Sequence, residues 1–530
     1  MTKKLKVAFI IENHVKIASK IQQFLSGYEL PVSFTFIKVR QKRKPFPSEN
    51  TTPLSSFFKN VFFILENKLD PKIIGTYGIS EMKWDKTFEY KNDFDSITRY
   101  LRENDFDVAI IDTKHPESFC INQIADYVKE GVLLWGRGEN KHQSITESAF
   151  NSASQQLSNT RYSIYHQKNS QTKILSLLNG ACTTQLTFGR TVFRAYNESL
   201  VWLIEIINNL LATSNLEPIG TSVASDTGVA KKLSFLKYTK HLSKEFKKRY
   251  FKRSQINKEW TVNIYSGNWD ELPKSSKTVT TIPNPANSHF ADPFLFEHDN
   301  KTICFLEEYN RCENKAVISA FEITEQKNKI KTESNSRLSY SYLGKILEEP
   351  FNLAFPFVFS YDEKIYMVPD SRKANSIRLY ECKKFPMIWE FKHELMTNVS
   401  AVDSTIFEHK GLWWLSTTIK PDNSDELCAA LHFFFAEKPT ENCWIPHPKN
   451  PVVLDHKVGR NGGFIKSQNQ ILRVNQIQGF ESYGLGVAVS EILELTTSNY
   501  KANKPILFNE KVHGHHLSSI KTYTAYDSFK

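Results

Sequence analysis

Ser288-His-Phe-Ala-Asp-Pro-Phe-Leu-Phe-Glu297, the polar turn His298-Asp-Asn-Lys301 and Thr302-Ile-Cys-Phe-Leu-Glu-Glu-Tyr309 read together as one β-hairpin, two aromatic-rich runs joined by turn residues. Asp292 stands toward the outer end of the first run, and Glu307 and Glu308 toward that of the second. The ends of a hairpin opposite its turn lie side by side. The spacing therefore predicts that these carboxylates meet at one edge of a sheet. The pattern returns three times. Phe355-Pro-Phe-Val-Phe359 leads through Tyr361-Asp-Glu-Lys364 to Ile365-Tyr-Met-Val-Pro-Asp370. Val402-Asp-Ser-Thr-Ile-Phe407 leads through Glu408-His-Lys-Gly411 to Leu412-Trp-Trp-Leu415, and Gly462-Gly-Phe-Ile465 leads to Ile471-Leu-Arg-Val-Asn-Gln476. Copies spaced by roughly 50 to 60 residues suit propeller blades better than a helical solenoid. A fifth blade is expected where the strand near Trp260–Tyr265 pairs with the C-terminal region Val512–Ile520. The alternative is a β-sandwich with aromatic repetition.

The 530 residues are 40% hydrophobic and 13% aromatic, enough for two to four domains with sizeable cores. The net charge of +11 favours an anionic partner, such as a nucleotide, a phospholipid surface or nucleic acid, and identifies none of them. Seven cysteines include no Cys-x-x-Cys pair and no Cys/His metal spacing, so free thiols and no metal are expected. The apolar N-terminal run ends at Glu12, too soon for a signal peptide, and no apolar stretch is long enough to span a bilayer. The expected location is cytoplasmic, peripheral on the inner membrane face if the chain binds lipid.

Residues 1–215 alternate strand and helix patterns, the mark of an α/β sheet that is mostly parallel. Strands are expected over Lys6–Glu12, Val32–Val39, Asp107–Asp112 and Gly131–Trp135, and helices over Val15–Leu25, Phe94–Asn104, Ile121–Lys129 and Val201–Ala212, with a polar loop at 40–60. Residues 216–258 read as a basic helical linker. From Lys231 to Arg253, ten Lys and Arg interleave with Leu233, Phe235, Leu236, Leu242, Phe246, Tyr250 and Phe251 at helical spacing. Such a helix either lies on an anionic membrane or packs its apolar side on protein. Residues 259–530 form the all-β part.

The opening strand, Asp105-Phe-Asp-Val-Ala-Ile-Ile111 and Gly131-Val-Leu-Leu-Trp-Gly-Arg-Gly138 resemble the formyltransferase fold. That family carries an Asn-His-Asp set, its histidine in the segment matched here by Trp135-Gly-Arg-Gly-Glu-Asn140, and this chain has no histidine until His142. Arg137 stays protonated and cannot replace a histidine base, so the resemblance implies a catalytically degenerate domain. His115 and His142 read as loop residues. The turn Gly136-Arg-Gly138 could bind phosphate or be an ordinary sharp turn.

From Trp260 on, the chain resembles the N-terminal domain of the glucosamine inositolphosphorylceramide transferase family and its bacterial relatives. The resemblance rests on Phe290-Ala-Asp-Pro-Phe-Leu-Phe296, Glu307-Glu-Tyr309, Tyr366-Met-Val-Pro-Asp-Ser371, Asp403-Ser-Thr-Ile-Phe407, Leu412-Trp-Trp-Leu415, Pro446-His-Pro-Lys-Asn-Pro451, Gly459-Arg-Asn-Gly-Gly463 and Leu472-Arg-Val-Asn-Gln476. It implies a five-bladed β-propeller related to arabinanase- and levansucrase-like glycosidases, and a cytoplasmic glycosyltransferase of surface polysaccharide or glycolipid biosynthesis. Alternatives are a non-catalytic glycan-binding propeller and a sugar-nucleotide N-formyltransferase. Glycosidic chemistry needs one carboxyl to move a proton and a second carboxylate across the anomeric carbon. The candidates are Asp292, Asp403, Asp370, Glu307 and Glu308. His289, Tyr309, Arg460, Arg473, Gln476 and Tyr483 are the candidate substrate-binding residues, the arginines for a phosphate or carboxylate. Trp413 and Trp414 either stack on sugar or pack between blades. The basic charge suits a nucleotide-sugar donor and a glycan or lipid-linked acceptor; no other cofactor is expected. With a carbohydrate-active reading of the chain, nucleic acid is not an expected partner.

Overall fold

The computed structural model describes residues 4–12, 25, 31–40, 85–89, 94–113, 121–213, 216–219, 238–245, 259–271, 279–325, 338–465, 467 and 470–529. All but the last residue of the expected helix at 15–25, all but the first of the loop at 40–60, His115 and most of the basic stretch lie outside them. The chain divides into two compact units, Met1–Thr221 with Asp226–Arg253, and Ser222–Ser225 with Ser254–Lys530.

The first unit is built on a sheet of β1 (Leu5–Glu12), β2 (Val32–Arg40), β3 (Lys86–Glu89), β4 (Val108–Asp112), β5 (Val132–Arg137), β6 (Asn159–Gln167) and β7 (Leu175–Thr183). Their order is β3-β2-β1-β4-β5-β6-β7. The first five run parallel, and β6 reverses against β5 and β7. Every residue of β4 and β5 is buried, as continuous apolar runs in a covered parallel sheet must be. The unit's described helices include α1 (Phe94–Asn104), α2 (Ile121–Ala125), α3 (Ile145–Gln155) and α4 (Phe188–Thr213). Helix α2 stops short of Lys129, and α4 begins well before Val201. Strands β3, β6 and β7 and helix α3 are additions to the sequence reading. Asn159-Thr-Arg-Tyr-Ser-Ile-Tyr-His-Gln167 is too polar to announce a strand, and α3 is set by its capping box, in which Ser144 and Glu147 satisfy each other's amides. Residues 238–245 are helical. Tyr238 is buried against Phe150, and its hydroxyl accepts a hydrogen bond from Phe188 N at 2.9 Å. This part of the basic stretch therefore packs on protein. Among the described residues, no helix is long and apolar enough to cross a membrane.

The second unit is all β and propeller-like. One four-stranded sheet runs β10 (Ser288–His298), β11 (Lys301–Asn310), β12 (Lys315–Glu325) and β13 (Leu338–Leu347); the strands β8 (Trp260–Ser266) and β9 (Thr280–Ile282) precede it in the chain. The next holds β14 (Ala354–Tyr361), β15 (Lys364–Asp370), β16 (Ser376–Lys384) and β17 (Ile388–Thr397). A third holds β18 (Ala401–His409), β19 (Leu412–Ile419), β20 (Ala430–Ala436), β21 (Ile445–Pro446) and β22 (Val453–Leu454). The remaining strands are β23 (Asn461–Ile465), β24 (Ile471–Gly479), β25 (Ser482–Leu495), β26 (Tyr500–Ala502), β27 (Ile506–Leu507), β28 (Leu517–Ser519) and β29 (Tyr523–Phe529). They join β8 and β9 in the order β26-β25-β24-β23-β28-β29-β8-β9, with β27 on β25. The leading strands β10, β14, β18, β23 and β28 touch in a closed cycle. A sandwich of two facing sheets would not close this way.

The anchoring hairpin is present as read. Asp299 and Asn300 both take positive φ, 50° and 59°, the two-residue turn that matches strand twist. Asp362-Glu363 and Lys410-Gly411 repeat it. The expected closure is corrected. β8 pairs along its whole length with β29, from Trp260↔Phe529 to Ser266↔Tyr523, and not with 512–520. Leu517–Ser519 instead serves as a leading strand beside β23. Both tryptophans are packing residues. Trp414 is fully buried, and the Trp413 ring lies 6.1 Å from Phe359 and 5.4 Å from Tyr361.

Candidate active site

Each of the first four leading strands carries a one-residue bulge at the same place. Register slips between Ala291 and Phe294, Ala354 and Phe357, Val402 and Thr405, and Asn461 and Phe464. The bulges hold Asp292, Phe355, Asp403 and Gly463 at φ of 50°, 46°, 54° and 126°. A left-handed backbone suits Asp and Gly and is strained for Phe. A bulge re-aims its side chain out of the alternating pattern, and here it turns Asp292 and Asp403 inward. Opposite the residue before each of the first two bulges stand Glu307 and Asp370. These two are equivalent positions in adjacent sheets and remain partly accessible.

Asp292 is 5% exposed. Its Oδ2 accepts Phe355 N at 3.1 Å, which ties the first bulge to the second. Its Oδ1 faces His515 Nε2 at 3.4 Å and His516 Nδ1 at 3.5 Å. His515 Nδ1 in turn lies 2.6 Å from Asp527 Oδ2, and the other Asp527 oxygen accepts the amides of His515 and His516 at 2.8 and 2.9 Å. Burial works against ionised Asp292 but is outweighed by His515, His516 and Arg460, which hold it well below the usual carboxylate range. Burial also works against a charged His515, yet Asp527 and Asp292 push it up to about 9. The result is a carboxylate–imidazolium–carboxylate chain.

The other carboxyls go the opposite way. Burial, then the charges of Asp292 and Asp370, drive Glu307 far above the usual range, and it shares a hydrogen bond with Asp292. Burial and the charge of Asp403 push Asp370 up to about 7, against the opposing pull of Arg460, Arg372 and the Arg372 amide. Asp403 is engaged on both oxygens, by Arg460 Nε at 2.5 Å and Nη2 at 3.2 Å and by Gln476 Nε2 at 3.1 Å. Burial still moves it upward, with Arg460 opposing and Asp292 adding. One ionised carboxylate, Asp292, thus sits beside Glu307 and Asp370, whose protons are held more tightly than an ordinary carboxyl holds them.

Of the residues read from sequence, Asp292, Glu307, Asp370, Asp403, Arg460 and Gln476 come together. The Tyr483 ring joins them, 5.4 Å from the Arg460 guanidinium and 5.3 Å from His515. Glu308 does not. Strand alternation puts it on the face opposite Glu307, where it accepts Ser319 Oγ at 2.6 Å and the Tyr342 hydroxyl at 2.8 Å. Arg473 does not either. It is buried, bonded to Asn461, Asn475 and the carbonyls of Val458 and Gly459. It lines a separate cavity of about 360 Å³ with Phe407, Glu408, His409, Phe464 and Leu472. His289 and Tyr309 pair with each other at the start of the first hairpin, ring centroids 5.2 Å apart, and the Tyr309 hydroxyl donates to Asn314. His515, His516 and Asp527 were missed, although His513-Gly-His-His516 just ahead of a leading strand was a visible signal. Among the described residues two sets of metal-capable donors converge, Asp292/His515/Asp527 and Glu426/Cys428/His456. In the first, both His515 ring nitrogens already face carboxylates.

In the first unit, Arg137 is buried and donates to the carbonyls of Thr113 and Trp135. His142 lies in the turn before α3, its amide held by Asn140 Oδ1 at 3.0 Å.

Comparison with known proteins places residues 274–521 on the family described as glucosamine inositolphosphorylceramide transferase 1, N-terminal. The protein of that name from Arabidopsis thaliana is 29% identical over 248 residues, 46% of this chain and 31% of that protein. Its counterpart in Oryza sativa subsp. japonica is 29% identical over 244 residues, 44% of this chain and 31% of that protein. The match spans under a third of these relatives. Among solved structures, an exo-1,5-alpha-L-arabinanase from a bovine ruminal metagenomic library aligns with 9% identity and a TM-score of 0.32, over 46% of this chain and 93% of that one. A beta-1,2-mannobiose phosphorylase from Listeria innocua aligns with 14% identity and a TM-score of 0.30, over 50% and 96%.

Proposed function

We propose, with the match of residues 274–521 as premise, that the second unit is a five-bladed β-propeller acting as a glycosyltransferase in surface polysaccharide or glycolipid assembly. Its donor is a nucleotide sugar and its acceptor a glycan or lipid-linked glycan. The observation that carries this reading is the division of labour among the clustered carboxyls. Asp292 is held ionised, while Asp370 is pushed up to about 7 and Glu307 higher still. Glycosyl transfer passes through a cationic anomeric centre and needs one fixed negative charge and one group that exchanges a proton near working pH. Asp292 is too weak a base to shuttle protons, so it supplies the charge. Asp370 takes the proton of the attacking hydroxyl, and Glu307, protonated, donates a hydrogen bond to the sugar. Arg460 and His515 offer positive charge to the departing phosphate.

The test is nucleotide release from nucleotide sugars with glycolipid and oligosaccharide acceptors. Asp370→Asn should lower turnover by about 100-fold or more and leave ligand binding within a few-fold. A wild-type chain that binds glycan and never releases nucleotide would promote the second reading, a glycan-binding propeller without catalysis. That reading is favoured by one observation: Asp403 is 2% exposed and spent on Arg460 and Gln476.

We also read the first unit as formyltransferase-like and without formyl transfer, since the position of the family's histidine segment holds a buried Arg137 engaged with carbonyls. Turnover of formyl-tetrahydrofolate on an amino-sugar nucleotide, lost on Asn140→Ala, would overturn this. The proposed location is the cytoplasm, at the inner membrane face.

A further inference from the structure

Against Arg460 Nη1, the guanidinium nitrogen that does not bond Asp403, lies a set of groups that the proposed chemistry does not use. Strand β20 pairs antiparallel with β22 through Ala430↔Leu454 and Leu431↔Val453. The pairing runs on past both strands, since Asp455 N bonds Ala429 O at 3.0 Å. Continued two residues, this register sets Cys428 opposite His456, and opposed residues of an antiparallel pair bring their Cβ atoms to about 5 Å. Glu426, two residues before Cys428, closes the group, its Oε1 2.6 Å from His456 Nδ1. The three ligand atoms, a thiol sulfur, an imidazole nitrogen and a carboxylate oxygen, lie within 4.8 Å of one another. All three residues are buried, at 5, 7 and 8% exposure.

Thiol, imidazole and carboxylate are the donor types that Zn²⁺ takes together, and softer than anything Mg²⁺ or Ca²⁺ selects. Three such donors on two paired segments are also unusual company for a core. A plain apolar filling would serve packing better, because each buried polar group must be satisfied or cost stability. We propose that Glu426, Cys428 and His456 bind one Zn²⁺. The metal displaces the proton between His456 Nδ1 and Glu426 Oε1 and the thiol proton of Cys428, and both protons leave to solvent. Arg460 Nη1 stands 4.0 Å from Cys428 Sγ while its other nitrogens grip Asp403. A thiolate held by zinc gives that guanidinium a second acceptor. The ion therefore steadies the Arg460–Asp403 pair from behind. The spacing rules used on the sequence miss such a site, because Glu426 and His456 are 30 residues apart and no short motif spans them.

The experiment uses the full chain, stripped with chelator and retitrated with Zn²⁺, then with Co²⁺ as a spectroscopic substitute. Expected are one bound Zn²⁺ per chain, a rise in melting temperature on Zn²⁺ addition, and a Co²⁺–thiolate charge-transfer band. Cys428→Ser should abolish that band, and Cys428→Ser or His456→Gln should weaken Zn²⁺ binding by at least about tenfold. The wild-type titration needs no variant to fold. Failure of the stripped wild-type chain to bind Zn²⁺, or a Co²⁺ complex without the thiolate band, would overturn the proposal. Because the readouts are stoichiometry and absorption, they stand or fall independently of any glycosyl transfer.

Discussion

The imidazolium at position 515 makes a quantitative claim. His515 is 6% exposed and sits between Asp527 Oδ2 at 2.6 Å and Asp292 Oδ1 at 3.4 Å. Arg460, Trp260 and Tyr483 are its other neighbours. Burial disfavours its charge, the two carboxylates overcome burial, and the ring is pushed up to about 9 from an ordinary 6.5. A group whose proton is held more tightly in the folded state stabilises fully below its unfolded value and ceases to do so as pH rises through its folded value. The window is therefore from 6.5 to about 9. At about 1.4 kcal/mol per pH unit the rise corresponds to ~3 kcal/mol. The depression of Asp292 is the other side of the same ion pair and is not added to it. The assay is urea unfolding of wild type and His515→Gln at about pH 6 and about pH 10, where linkage is complete at either end. The wild-type advantage should be larger by ~3 kcal/mol at the acid end. Contributions from the first unit and the fixed cost of the substitution cancel in that difference. An advantage that does not change with pH would mean that His515 is neutral in the folded protein and that the carboxylate–imidazolium–carboxylate chain does not exist.

Asp370→Asn should make the protein more stable in neutral and mildly alkaline buffer than wild type, and no more stable in acid. The wild-type carboxyl, pushed up from 3.8 to about 7, stabilises while protonated and ceases to do so as pH rises through that range; melting curves across the range check it, and equal shifts at both ends would refute it. Arg460→Lys replaces a two-point contact with a single charge and strands part of a buried carboxylate, so it should cost about 1.5–3 kcal/mol in chemical unfolding. If residues 231–253 meet anionic lipid, co-sedimentation with phosphatidylglycerol liposomes should fall steeply with salt, since each Lys or Arg is worth about 1 kcal/mol within a Debye length of about 8 Å. Tyr238, buried in the first unit, leaves room for no adsorption at its own position, and salt-independent behaviour would extend that packing role to the whole stretch.

What the sequence revealed follows from how local each signal is. The hairpins were legible because strand alternation and a two-residue turn are written within some twenty neighbouring positions. Asp299, Asn300 and Gly411 are residue types that accept positive φ, and the structure uses them so. Asp292 and Asp403 were legible as repeats, and the inward aim comes from bulges at the repeated place. Glu307 and Glu308 could not be told apart by residue type. Only the register Ala291↔Glu307 says which faces inward. Arg460 and Arg473 look alike in sequence, and the structure divides them by counter-charge. Arg460 has Asp403, whereas Arg473 has amides and carbonyls, and burial lowers it to about 10.

The part of the site that stayed hidden is the part made by closure. Asp292 N bonds Asp527 across 235 positions, and Trp260 stacks on His515 with ring centroids 4.1 Å apart. The strands that bring them together, β28 and β29 with β8 and β9, are short and draw on both ends of the unit. The strand at Trp260–Tyr265 and closure by the C-terminal region were legible, but the pairing partner, Tyr523–Phe529 in place of 512–520, was not. A ring that closes by pairing its ends places the last-joined residues beside the first bulge, so a contact across 235 positions falls on the carboxylate that the site holds ionised. The ionised state of Asp292 is thus a property of the closed ring. Opening that seam removes His515 and His516, two of the charges that outweigh burial at Asp292 and hold it ionised. Fold closure and the charge pattern that the proposed chemistry needs are one event, which is why neither can be read from the four repeats alone.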